Sequence, residues 1–169
     1  LFARILIKYP QARIVTVGDE LSQMLEVGWE NEPRVICKSG KYTIRESMSL
    51  LAECDVVIGP ETGMLNAAGH MPMRKILFLS HSSANNLAKY WQNTFSLEPD
   101  NTPCWPCNKM HYSFEHCHRS EETGTALCAA NIDLEQAWGA FEAGLPKTML
   151  DHAVSANPRL LERIKEIAA

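Results

Sequence analysis

The chain has 169 residues, enough for one domain with a real core and too few for two ordinary ones. With 46% hydrophobic and 21% charged residues it falls in the ordinary soluble class, which excludes a disordered or collagen-like chain. A net charge of −4 with no long Lys/Arg run gives no global pull toward nucleic acid, and no run of roughly 18 apolar residues offers a membrane span.

Leu1–Lys8 reads as the end of a helix, closed by Tyr9–Pro10. A chain that starts on Leu1 inside such a helix is expected to be a fragment lacking an N-terminal part. Leu1–Tyr9 has neither a basic leader nor a small-residue cleavage site, so a cytoplasmic location is expected. Arg13–Val17 (RIVTV) is a β-branched strand stopped by Gly18, Asp19 and Glu20, and Leu21–Trp29 can follow as a helix. Val35–Cys37 is a second strand, ended by the polar loop Lys38–Lys41.

Thr43 and Glu46 form a capping-box pattern, with Ile44, Met48, Leu51 and Leu50 as an apolar stripe behind it. Asp55–Ile58 is the third strand and leads into GPETGMLNAAG (59–69), a turn opening into a short helix near Thr62 or Gly63. Lys75–Leu79 is the fourth strand, ended by Ser80–Ser83, with a helix expected over Ala84–Trp91 and a fifth strand over Thr94–Leu97. Ile132–Ala143 and Pro158–Ala168 read as helices.

Short apolar strands alternating with helices predict βαβ units: an α/β, Rossmann-like parallel sheet with helices on both faces. The expected domain runs over 1–145, including a cysteine-rich segment at 98–130, and a helical tail follows over 146–169. In such sheets ligands bind beyond the carboxyl ends of the strands. Helix amides after Thr62 and Gly63 suit a phosphate there. Glu61 does not, unless its carboxylate turns away toward a ribose hydroxyl or backbone amides. Neither a Walker loop nor G-x-G-x-x-G occurs, so the residues alone support either an anion site or a plain strand-to-helix turn.

LLAECDVVIGPETGMLNAAG (50–69), flanked by RIVTVGDE (13–20) and RKILFLSHSS (74–83), resembles the signature region of glycosyltransferase family 9, the ADP-heptose:lipopolysaccharide heptosyltransferases. The resemblance covers roughly residues 1–145. It implies the C-terminal, nucleotide-sugar-binding half of a two-domain GT-B enzyme, which transfers a heptose with inversion from an ADP-linked donor in lipopolysaccharide biosynthesis. Glu61, Thr62 and Gly63 match the family's Asp-Thr-Gly, which holds the donor diphosphate. Asn66 stands where the family commonly has His, so this position carries an amide in place of a titratable ring. Ser82, Ser83 and Lys38 are further candidates for the diphosphate, and Gly18, Asp19 and Glu20 for the ribose or sugar side, with Asp19 or Glu20 reaching a hydroxyl. Lys41 would add charge.

The family's catalytic base resembles an Asp of the N-terminal domain, to which nothing in this chain corresponds. The fragment alone is therefore expected to bind donor and transfer nothing. The acceptor would be a glycan or protein hydroxyl, and any peripheral membrane association would pass through the missing domain. No cofactor is expected for the transfer itself, since amides, hydroxyls and basic side chains would stabilise the leaving diphosphate.

Cys104-x2-Cys107-x9-Cys117-x10-Cys128 lies in a segment with little apolar content, with His111, His116 and His118 inside it. Four thiolates suit a structural zinc or a rubredoxin-like iron; free thiols and disulfides are the alternatives. The resemblance points toward metal, because a branch of the family that glycosylates autotransporters carries an iron-bound cysteine finger. Cys37 and Cys54, beside strands, read as ordinary buried thiols. Competing with the transferase are a non-catalytic nucleotide-sugar module, another GT-B enzyme such as a sugar-nucleotide epimerase, and a metal-stabilised interaction module.

Overall fold

The computed structural model describes residues 1–109 and 117–145. The helix expected over 158–168, the tail 146–169 and His111 and His116 lie outside those residues. Two compact units are present, one over Leu1–Ser47 and the other over Met48–Gly144.

In the first unit, helix α1 (Phe2–Lys8) buries Ile5 and Leu6, and Tyr9 ends it fully enclosed. Strand β1 (Ile14–Thr16) pairs in parallel with β2 (Val35–Cys37), Ile14 opposite Val35 and Thr16 opposite Cys37. Arg34 stitches the pair to α1, donating from a guanidinium nitrogen to the Leu6 carbonyl at 2.7 Å while Glu32 holds its Nε at 2.8 Å. Between the strands the helix expected over Leu21–Trp29 is instead a 3-10 helix, Glu20–Leu25, capped by the Asp19 side chain. The apolar periodicity is misleading here: Leu21, Met24, Leu25 and Val27 are all exposed, and Glu26 is the side chain turned inward.

Helix α2 (Ile44–Leu51) begins with the expected capping box: Thr43 N–H donates to Glu46 Oε2 at 2.8 Å, and Glu46 N–H to Thr43 Oγ1 at 3.3 Å. Its expected apolar stripe is buried only at its end, where Leu51 enters the core and Leu50 is half-buried. Ile44 and Met48 are exposed, whereas Ser47 and Leu51, one turn apart, are buried.

The second unit carries β3 (Val56–Pro60), α3 (Gly63–Ala68), β4 (Arg74–Phe78), α4 (Ala84–Leu87), β5 (Thr94–Leu97), α5 (Leu127–Ala130) and α6 (Leu134–Gly144). The sheet order is β3-β4-β5, every pairing parallel, with Ile58 opposite Ile76 and Ile76 opposite Phe95. Leu77 and Leu79 join Leu51, Val57, Leu65, Ala68, Met73 and Ala88 in one core. Ile76, of opposite parity along β4, is equally buried, and α6 packs on β4 and β5 through its buried Trp138 and Phe141 side. Cover on both faces explains why β4 reads as a continuous apolar run. Lys75, inside that run, is fully enclosed and donates to the Met71 and Met73 carbonyls at 2.6 and 2.9 Å; burial lowers its pKa.

The architecture is thus α/β with parallel strands in two small sheets flanked by helices, where one parallel sheet was expected. All five strands lie where the sequence puts them. Pairing was not readable because strands of three to five apolar residues carry no pattern that chooses a neighbour. The helix over Ala84–Trp91 stops at Leu87, after which Tyr90 is exposed and Trp91 folds back onto Gly69.

Candidate functional site

The turn after β3 and the loop after β4 leave the carboxyl ends of adjacent parallel strands, and one side chain joins them. Glu61 Oε2 accepts from Ser80 N–H at 2.9 Å, Ser80 Oγ at 2.9 Å and His81 N–H at 3.0 Å, and its Oε1 accepts from Ser82 N–H at 2.8 Å. His81 Nδ1 lies 2.7 Å from the same Oε2. Burial pushes the Glu61 carboxyl up, but the Ser80, His81 and Ser82 donors outweigh it and hold the group below its ordinary value. The carboxylate has therefore turned toward backbone amides, and both of its oxygens are engaged by donors.

Thr62, Gly63 and Asn66 are exposed beside this lock. Thr62 caps α3, its hydroxyl accepting from Leu65 N–H at 3.4 Å. The first amides of a helix have no partner inside it. A side chain added at Gly63 would meet nothing within 4 Å, so the backbone there is open to close approach. The α4 start differs: Ser83 caps Asn86 N–H, and the Glu98 carboxylate already takes Ala84 N–H at 2.7 Å. Ser82 is buried with its amide on Glu61. Of the candidates in this unit, Thr62, Gly63 and Asn66 are exposed, and Glu98 and His81 are contributors that sequence patterns did not show. Their signal was weak, since a carboxylate after one strand and a histidine after another show no spacing that pairs them.

The first unit carries its own group of candidates. Gly18 carbonyl accepts from Gly40 N–H at 2.9 Å, tying the loop after β1 to the loop after β2. A Cβ on Gly18 would fall 2.3 Å from Ser22 Oγ, so the tight turn needs glycine. Asp19 is occupied as a cap, accepting from Ser22 N–H at 3.0 Å and Ser22 Oγ at 2.9 Å, and Glu20 is exposed. Lys38 Nζ stands over the Tyr42 ring, and Lys41 Nζ donates to the Cys37 carbonyl at 3.0 Å. The anchor is again a buried carboxylate: Glu26 Oε1 accepts from Ser39 N–H at 2.9 Å and from the Thr16 hydroxyl. Burial raises its pKa, and the Thr16 and Ser39 donors, aided by Lys41, bring it below the ordinary value. Glu26 and Cys37 also line a groove of about 500 Å³ in this unit, together with Glu30 and Lys41.

In the cysteine segment, His118 carbonyl accepts from Leu127 N–H at 2.8 Å and Arg119 bridges Ala126, which folds 117–128 into a small antiparallel loop. The four cysteines are thiols, Cys104 exposed and the others half-buried. Burial raises the Cys128 thiol, and Cys117 and Cys104 push it the same way. Three thiols thus share one neighbourhood, but among the described residues no three ligating side chains are gathered as a metal-binding set. Cys37 and Cys54 are half-buried; Cys54 donates to the Leu50 carbonyl at 3.3 Å, and its thiol is raised by burial and by Asp55 and Glu53.

Comparison with family models, with curated proteins and with solved structures gave no match to this chain. No family is assigned on those grounds. Among the described residues no helix is long and apolar enough to cross a membrane.

Proposed function

We propose that this chain is the donor-binding half of a GT-B glycosyltransferase resembling family 9, holding the diphosphate of an ADP-heptose-like donor at the start of α3. The observation that carries the reading is the exposed Thr62–Gly63 turn at the end of β3, beside a loop whose nearby carboxylate, Glu61, has both oxygens bound to donors. A diphosphate needs donors without a free carboxylate next to them, and this edge of the sheet meets that requirement. Thr62 Oγ1, the Gly63 amide and the amide after it would take the phosphate oxygens, with Asn66 one turn along. Ser82 and Ser83 would act mainly by shaping the neighbouring loop.

In this reading a second domain supplies the catalytic base and the acceptor, a glycan or protein hydroxyl. The present residues would bind and orient the donor and stabilise the leaving diphosphate with backbone dipoles. Zinc or iron held by Cys104, Cys107, Cys117 and Cys128 would be structural, ordering a segment that has little apolar content of its own. The donor type, four cysteine thiols, suits a thiophilic ion.

Calorimetric titration of the purified chain with ADP and ADP-glucose tests this. Saturable binding with no sugar transfer to a hydroxyl acceptor is expected. Absence of nucleotide binding removes the reading, and turnover by this chain alone removes the requirement for a second domain.

A further inference from the structure

We propose that His81 is a contact for the donor's phosphates, with Glu61 as its positioning residue. This rests on the nucleotide-sugar reading and names a residue that reading does not use. The geometry is a carboxylate–imidazole dyad at the carboxyl edge of the β3–β4–β5 sheet. Glu61 Oε2 lies 2.7 Å from His81 Nδ1 and accepts the His81 amide at 3.0 Å. On the other side the His81 carbonyl accepts from Asn108 N–H at 2.8 Å, so the residue is fixed at amide, carbonyl and ring.

With Nδ1–H donating to a carboxylate, the neutral ring keeps its lone pair on Nε2, and a second proton must go there. Nε2 has no partner among the described residues, and the side chain is 35% exposed. Nε2 is the ring's remaining polar atom, and the carboxylate that holds Nδ1 accepts three main-chain amides. Other charged groups on elements meeting this loop are Glu98, bound to Ala84 N–H, and Lys109, next to Asn108. A partly exposed ring held by a carboxylate at the strand end that also carries the Thr62–Gly63 turn is placed to donate, in its protonated form, to a phosphate oxygen.

ADP-glucose is the probe, titrated at one pH into the wild-type chain, His81→Gln and Glu61→Gln. His81→Gln should weaken ADP-glucose binding roughly tenfold, and Glu61→Gln, which keeps the ring but loosens its hold, should weaken it less. Pyrophosphate at the same pH should show the same His81 dependence, whereas adenosine showing it would overturn the assignment. A folded His81→Gln variant, with an unchanged urea midpoint, that binds ADP-glucose as tightly as the wild type overturns this inference and leaves the nucleotide-sugar reading standing. No binding by the wild type overturns both.

Discussion

Glu61 Oε1 lies 2.8 Å from the Ser82 amide nitrogen, so a carboxylate on the β3 turn holds the backbone of the loop after β4. Hydrogen bonds to a charged group each contribute more than neutral ones. Glu61→Gln replaces one acceptor oxygen by an NH2 group that faces backbone N–H. The variant should lose about 2 kcal/mol of stability, read as a lowered urea midpoint. Glu61→Ala should lose more, and an unchanged midpoint would show that the lock contributes little.

Glu26 and Glu61 predict the acid limit of the fold. Both have folded-state pKa values below the ordinary carboxyl value near ~4.3. A depressed carboxyl contributes stability that is fully present above the unfolded value and is lost as pH falls through the folded one. Melting temperature should be level from about pH 7 to about pH 5 and fall below about pH 4. The Glu26→Gln, Glu61→Gln double variant should start lower and fall less steeply. A fall as steep as in the wild type would assign acid lability to other carboxylates.

Strand positions were legible because each is a short β-branched or apolar run bounded by glycine, serine or a charge, as in Asp55–Ile58 before Gly59. The Thr43–Glu46 box was legible because its partners are three residues apart. Long-range polar pairs were not. Nothing local marks Glu26 for Ser39 or Glu61 for His81, whose meeting depends on which strands are neighbours. The exposed Leu21 and Met24 misled in the opposite sense, since periodicity reports an apolar face without saying what covers it. Thr62 and Gly63 were legible as an exposed turn. What they bind came only from resemblance.

Gly69 lies against Trp91, and a Cβ there would fall 2.9 Å from three indole atoms. Gly69 has helical backbone angles, so alanine would gain roughly 0.5–1 kcal/mol in backbone terms. Overpacking a rigid ring costs about 1–3 kcal/mol and should win. Gly69→Ala is expected to lower stability and change Trp91 fluorescence. In a Trp91→Ala background the same substitution should become neutral or stabilising.

The cysteine segment predicts its metal content. Chain purified without chelator should carry about one zinc or iron per molecule by elemental analysis, given the four-thiolate donor set. Cys107→Ser and Cys117→Ser should each lower the metal content and raise proteolysis near 98–130, leaving strand β4 protected. Four freely titrating thiols in metal-free, unproteolysed protein would exclude the ion.

The central claim is the donor site at the start of α3, and mapping backbone amide shifts during an ADP-glucose titration tests it most directly. Saturable shifts concentrated on Thr62, Gly63, Met64 and Ser82 are predicted. Binding whose shifts fall instead on Glu30 and Lys41 around the groove of the first unit, or a titration that moves no resonance, would contradict it.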